Sequence, residues 1–567
     1  MRYFIKYQGV PIIRIEIEGI IVLKTMKLLK IIISILLIYI SYSIKAQTKS
    51  EVFVEAAGIY ATPGQLMPLY LYSNNWGVIS PFQKSSFWLH IGGHYQFLNK
   101  DKIKLKAGLS GIVKNDIEES ILHQAYLRGK AFNVIDFTIG KEAYTPISYN
   151  DTLTVGGFLN NSNARPVPKV MIGIYEYLPL GFTKNWVEIR GGISHGWLND
   201  DRISEGRGNS ADMPYLHEKW AYMRLGNTKI QPYAGLVHNS LMGGTRPNGD
   251  KIPVDYFATF LGKGSSKLGG GEETNAAGAH EGFWDFGFYI NTKPVDFLAY
   301  LQRPFADGSG MKTWEFNNKD FRIGLLVEIK HSSFLEKLSI EFIKTDHQSG
   351  PGIPDQLYPE GHEKAGKIIF TDMIDDVDAF MLEVFQKNTV GWTSKELMNY
   401  LENQQNFGYE FGGRDDYNNN YSYYNGWTYH QQAFGLPLYH TKYQTARYAP
   451  NWDPTGFGIF RNNRIKAFHL GAEGDLFPGF HYIMKYTFSK NYGTYGEQYE
   501  GRSSWTERND FYYESGKNQN YSQLQLAYQP SKINALNIRS SFSFDFGELY
   551  QSFGFNLGVR YMIFTVQ

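Results

Sequence analysis

Phe553-Gly554-Phe555-Asn556-Leu557-Gly558-Val559-Arg560-Tyr561-Met562-Ile563-Phe564 is the stretch that decides the fold. Phe553, Phe555, Leu557, Val559, Tyr561 and Ile563 fall on one face of an extended chain, and Gly554, Asn556, Gly558 and Arg560 on the other. Strand side chains point alternately to opposite faces, so this segment has one apolar face and one small or polar face. The pattern suits a strand with hydrocarbon on one side and a wet or filled lumen on the other.

Segments further upstream repeat it. Leu536, Ile538, Ser540, Phe542, Phe544 and Phe546 alternate with Asn537, Arg539, Ser541, Ser543 and Asp545. Leu524, Leu526 and Tyr528 alternate with Gln523, Gln525 and Gln529, and Phe480, Tyr482, Met484, Tyr486 and Phe488 with His481, Lys485, Thr487 and Ser489. Phe87, Leu89, Ile91, Tyr95 and Phe97, then Ile103, Leu105, Ala107 and Leu109, then Phe321, Ile323, Leu325, Val327 and Ile329 continue the series. A soluble β-sandwich also alternates. Here, however, large aromatics sit near strand ends, and strands run from about residue 52 to the terminus with no dividing linker. The reading is an all-β, antiparallel transmembrane β-barrel in the cell outer membrane. With the C-terminus in the periplasm, the turn 530–535 is periplasmic and the longer polar stretch 490–521 extracellular.

Composition agrees. Of 567 residues, 58 are Gly, and 41 Tyr, 39 Phe and 11 Trp make 91 aromatics. Mean hydropathy is nevertheless −0.36. A helical membrane protein of this size would be strongly apolar, whereas a barrel exposes only alternate residues to lipid. With no cysteine, disulfides, thiolate zinc sites and a lipid-modified N-terminal Cys are excluded. The formal charge is +1; removing residues 1–46 takes away seven Lys/Arg and two Glu, leaving 49 basic and 53 acidic side chains, or −4. Nothing in that balance points to nucleic acid.

Met26-Lys27-Leu28-Leu29-Lys30 is a short basic start, 31–40 is apolar, and Ala46-Gln47 is a cleavage point, so 26–46 reads as a signal peptide. Residues 1–25 contain Glu16 and Glu18 and do not fit such a leader; they are read as an upstream extension, with translation starting at Met26. A peptide recovered from residues 2–24 would contradict this. The mature barrel is expected over 47–567.

One region departs from alternation. Thr393-Ser394-Lys395-Glu396 has capping-box spacing, followed by Leu397, Tyr400 and Leu401 on one helical face. Residues 371–385 also read as helical, with Asp372, Asp375, Asp376 and Asp378 near the start, where the dipole favours acids. The segment 371–405 is expected to be a plug or a lid.

Several segments resemble the Wzi capsule-assembly family in the form found in Bacteroidetes. They are Gly156-Gly157-Phe158-Leu159 with Ser162-Asn163-Ala164-Arg165-Pro166-Val167-Pro168-Lys169-Val170 and Ile172-Gly173-Ile174; Lys344-Thr345-Asp346-His347-Gln348-Ser349-Gly350; Gly412-Gly413-Arg414-Asp415-Asp416-Tyr417-Asn418-Asn419; and Phe460-Arg461-Asn462-Asn463-Arg464. The resemblance implies about eighteen strands closed by a small helical plug, and lectin-like attachment of capsular or other surface polysaccharide. It implies no specific sugar-contact residue. A passive porin or sugar channel is the alternative, and an outer-membrane enzyme a third reading.

For sugar chemistry, the candidate is the stretch 414–429. Arg414, Asp415 and Asp416 and neighbouring Asn residues supply planar polar groups, and Tyr417, Tyr421, Tyr423, Tyr424 and Trp427 supply ring faces. An aromatic girdle with a polar loop would read the same way. Asp416-x-Asn418-x-Asn420 opens like a calcium loop, but Tyr421 and Trp427 stand where Gly and Glu are needed. His90 and His94 lie about 13 Å apart at strand rise, too far for one metal. Gly269-Gly270-Gly271 lacks the Lys-Ser/Thr of a phosphate loop. No nucleophile elbow or His-Glu-x-x-His motif occurs. The expectation is therefore a non-enzymatic monomer with no cofactor and no metal, with surface polysaccharide and outer-membrane lipid as partners.

Overall fold

The computed structural model describes residues 50–566 apart from 201, 203–209, 266–276, 309, 312–317, 351–356, 368, 370, 372–373, 406–412, 414, 453–457 and 500–507. The signal peptide, the upstream extension and Arg414 lie outside the described residues.

Eighteen strands form one sheet: β1 (Ser50–Ala61), β2 (Ser85–Lys100), β3 (Ile103–Lys114), β4 (Ile121–Ala131), β5 (Ile135–Lys141), β6 (Lys169–Pro179), β7 (Val187–Trp197), β8 (Tyr215–Leu225), β9 (Ile230–Met242), β10 (Ala279–Asn291), β11 (Val295–Phe305), β12 (Phe321–Ile329), β13 (Lys337–Lys344), β14 (Ile465–Phe477), β15 (Phe480–Asn491), β16 (Lys517–Tyr528), β17 (Leu536–Gly547) and β18 (Ser552–Val566). Each pairs antiparallel with its neighbour in sequence, and β1 pairs with β18 from Ser50↔Val566 to Ala61↔Gly554. The sheet is therefore closed, and no strand edge is left to meet lipid.

The alternation read from sequence is the lipid/lumen division. Phe553, Leu557, Val559, Tyr561 and Ile563 are exposed on the outward face, as are Phe542, Phe544, Met484, Tyr486 and Phe488. On the inward face Ser543 and Asp545 are buried among lumen groups. No helix among the described residues is long and apolar enough to cross a membrane. A closed barrel with this outward apolar belt is an outer-membrane protein. Short turns and both strand termini mark one end, which the short-inside, long-outside asymmetry makes periplasmic.

The abundance of glycine and aromatics has one structural cause. Tyr126 faces Gly108 across a strand pair, as Trp220 faces Gly192, Tyr222 faces Gly235 and Tyr300 faces Gly324. A Cβ at any of these glycines would overlap the partner ring. The rings lie flat over neighbouring backbone, which fills the lumen side of the wall without widening it.

The outward face breaks pattern across β7 to β10. His195 and His217 are cross-strand partners, Lys219 pairs with His238, and His280 follows on β10. All five point outward near the extracellular end, yet His217, His238 and His280 are buried. The short helix 256–261 of the 243–278 connection turns outward over them: Tyr256 Oη lies 3.4 Å from His217 Nδ1, and the Phe260 ring lies 4.5 Å from Lys219 Nζ.

The helices read over 371–405 are present, as Val377–Phe385 and Ser394–Gln405. The first starts later than 371 because Asp376 is its N-cap, accepting from Ala379 N at 2.9 Å. Glu396 accepts from Thr393 N at 2.9 Å, one half of the capping box. Leu397 and Leu401 pack with Val377, Phe380 and Met381 in a cluster of their own, separate from the core that occupies the lumen. Asp378 is engaged by Thr389 Oγ1 at 2.6 Å and Trp392 N at 3.2 Å, and no metal-binding group of acids or histidines occurs among the described residues. What fills the lumen is other chain, mostly irregular.

Candidate functional site: the occupied lumen

Three extracellular connections turn back into the barrel. The first, 62–84, contains a single helical turn, Leu69–Tyr72, set by Pro68 at its N-cap and buried at all four residues. Leu69 N donates to Asp545 of β17 at 2.7 Å, and Gln523 of β16 donates to Tyr70 O at 2.7 Å. Tyr70 Oη lies 3.0 Å from His469 Nδ1 of β14 and bonds Thr487 of β15. Ser552 of β18 donates to Leu66 O at 2.6 Å. Burial holds the Tyr70 and Tyr72 phenols well above their ordinary range, so both stay protonated, and Tyr72 Oη accepts from Gln444 Nε2 at 3.3 Å.

The second connection, 142–168, is tied to the opposite wall. Tyr149 donates to Asp285 of β10 and sits 2.7 Å from the Tyr233 hydroxyl. Val155 N donates at 2.9 Å to Glu341 of β13, which is itself ion-paired with Arg322 of β12. His469 Nε2 lies 2.6 Å from Leu153 O.

The third, 345–464, closes the centre. Gln348 accepts from Tyr417 N at 2.9 Å and donates to Thr345 O at 2.9 Å, while Thr345 donates to Asn463 O at 2.8 Å. Asn463 donates to Asp416 and to Tyr417 O, both at 2.6 Å. Asn419 accepts from Phe460 N at 2.9 Å, and Asn163 reaches across to Ala433 O at 3.0 Å. Three of the four segments singled out in the sequence therefore converge on one buried knot, and the first joins the same filling at Ala433. A short helix, Lys442–Tyr448, opens on a capping box of Thr441 and Gln444 and adds Tyr448 to the packing. Arg461 and Glu497 form an ion pair at 2.6 Å with both side chains buried.

The sugar-contact residues expected over 414–427 are placed as follows. Tyr417, Tyr423, Tyr424 and Trp427 are at most 3% exposed and belong to the lumen packing; only Tyr421, at 50%, presents its ring to solvent. Asp415 accepts from Ser349 Oγ at 2.5 Å, and Asp416 accepts from Asn419 at 3.0 Å as well as from Asn463. The four buried rings offer no face to a sugar in this arrangement. The residues that sequence reasoning missed are 66–79 and 149–155. Their signal is a connection too long for a turn and too apolar for a solvated loop, as in Leu66-Met67-Pro68-Leu69-Tyr70-Leu71-Tyr72.

Below the first connection the lumen is not filled. A cavity of about 220 Å³ remains. Tyr70, Ser73 and Asn74 roof it, and Glu55, Lys485, Gln525, Arg539 and Arg560 line its wall. Arg560 and Glu55 pair at 2.8 Å.

No protein-family model matches the chain, and no curated protein matches it. Among solved structures it is similar to Wzi of Escherichia coli, described as an outer-membrane protein involved in Group 1 capsule assembly and a carbohydrate-binding β-barrel. Identity is 12% over 89% of this chain and 83% of that one, with a TM-score of 0.46. It is similar also to OccK5 (OpdH) of Pseudomonas aeruginosa, at 9% identity over 91% and 97% and a TM-score of 0.41. The outer-membrane channel DcaP of Acinetobacter baumannii gives 8% identity, 91% and 97% coverage and a TM-score of 0.37. At these values none of them assigns a family or a function to this chain.

Proposed function

We propose that this barrel is a non-conducting outer-membrane anchor for capsular or other surface polysaccharide, binding glycan in a lectin-like way without catalysis. The observation that carries the reading is the occupied lumen. Three extracellular connections are hydrogen-bonded to the barrel wall, the first through Asp545, the second through Asp285 and Glu341, and the third through Glu281. A passive channel has no use for such a filling, and a surface receptor has no use for a pore. Glycan as the partner comes from the four segments that resemble capsule-assembly proteins. Because the buried knot takes up most of those segments, contact with glycan falls to the exposed extracellular surface, where Tyr421 lies. Each sugar contact is weak, but a long repeating polymer engages many barrels at once, and avidity retains it.

The test is a deletion strain that still makes surface glycan. Polymer synthesis should be unchanged and more polymer should be shed into the medium; unchanged retention refutes the anchor. Large, steady conductance of the intact protein in planar bilayers would favour the porin instead.

A further inference from the structure

The cavity beneath the first connection contains a cation that the fold itself leaves unanswered. Lys485 projects inward from β15 and is 8% exposed. Its ammonium lies 4.3 Å from the centroid of the Tyr70 ring and has no ion pair or hydrogen bond among the described residues. A buried ammonium without an anion is costly, and a ring face offsets only part of that cost. The acids that line the cavity are engaged elsewhere: Glu55 holds Arg560, and Asp151 accepts from Ser148.

The rest of the lining is equally unfinished. Arg539 commits its Nε to Asn537 at 2.8 Å and makes no ion pair among the described residues. Asn74 Oδ1, Ser73 Oγ and His90 Nε2 are buried without partners. Cations, unpaired acceptors and a hydroxyl around one space match a ligand that has an anionic group and hydroxyls. About 220 Å³ lies below the roughly 300–1,000 Å³ of drug-sized sites, so the ligand is about one ring in size. The lining reaches the periplasmic end of the barrel. Asn537 and Arg539 are the second and fourth residues of β17 after a periplasmic turn, and Arg539 is exposed, while the 62–84 connection closes the space from above.

We infer that this cavity is a periplasm-facing site for a ring-sized, hydroxylated anion, whose carboxylate or phosphate is held by Lys485 and drawn in by Arg539 at the periplasmic end of the lining. The site stands on the cavity alone and does not depend on polysaccharide attachment outside.

The test is calorimetric titration of the purified full-length barrel in detergent with glucuronate, glucose 1-phosphate, glucose and inorganic phosphate. Glucuronate or glucose 1-phosphate should bind, and the pair shows which anion is preferred. Lys485→Met, close in volume, should weaken binding by about tenfold or more, while Lys485→Arg stays within a few-fold of the parent. Removing an unpaired buried charge should leave the barrel heat-modifiable on gels. If Lys485→Met fails to fold, Arg539→Gln, changed at an exposed position, is held to the same weakening. Failure of both anionic sugars to bind, or binding unmoved by these substitutions, overturns the site. Glucose binding as well as glucuronate overturns the anion requirement, and phosphate binding as well as glucose 1-phosphate overturns the ring.

Discussion

Glu341→Gln should cut one of the ties that hold the lumen filling to the wall. The Glu341 side chain is fully buried, and Arg322, with 3% of its side chain exposed, has it as its ion-pair partner, with Nε 2.9 Å from Oε1. Removing one member of a buried pair costs about 3–5 kcal/mol, because the other charge stays in place without an answer. Arg322 keeps Gln302 Oε1 at 3.3 Å and the Tyr300 ring at 5.3 Å, so the lower end of that range is expected. Arg322→Met alone should cost a similar amount, since the carboxylate then remains. The double variant has no buried charge to strand and should lose no more than about either single change, a coupling of about 3 kcal/mol or more. Urea unfolding of the folded barrel in detergent, followed by tryptophan emission and by cold gel migration, measures all four corners. Val155 N donates to this carboxylate, so Glu341→Gln should also speed proteolysis within 142–168 in intact cells. Strictly additive losses in the two single variants would refute the argument that the pair is a charge cage.

Deleting 377–405 should leave planar bilayers silent, whereas replacing 66–79 with a Gly-Ser linker should open a pore; a pore from the first deletion would move the plug to the helices. Gly324→Ala should destabilise by about 1–3 kcal/mol in the same urea assay because its Cβ meets the Tyr300 ring. The control Gly181→Ala, where a Cβ meets nothing within 4 Å, should stay within about 0.5 kcal/mol. Asp320, at the extracellular end of β12, accepts from His347 N at 3.0 Å and Tyr417 Oη at 3.1 Å, yet burial pushes its carboxyl up to about 7. A carboxyl raised in the fold favours the folded state at low pH. Its stabilising contribution should therefore fade as pH rises from about 4 through 7, and Asp320→Asn should flatten that part of the unfolding profile.

The wall of the barrel was legible in the sequence because it is local physics. Phe553 to Ile563 alternate at the period of a strand, whatever the rest of the chain does. The helix from Ser394 was legible for the same reason, since Thr393 and Glu396 are three residues apart. Burial of Tyr417, Tyr423, Tyr424 and Trp427 was not. Rings beside Asn and Asp describe a sugar platform and a polar, tightly packed lumen equally well. The difference lies in partners such as Gln348, Asp320 and Glu281, which come together with this loop only when the sheet closes. The lumen filling was missed because the helical segment advertised itself, while Leu69–Tyr72 is one turn long.

The first connection also sets a schedule. Residues 62–84 leave the cell interior early, directly after the first strand. Their wall partners are His469, Thr487, Gln523, Asp545 and Ser552, one on each of the last five strands. Through most of export, Leu66, Met67, Leu69 and Tyr70 are therefore apolar chain with nowhere to go, the condition in which unfolded barrels aggregate. They stay so until the far end arrives. When it does, sealing the wall and seating the filling become one step, so a chain truncated before residue 553 loses both together.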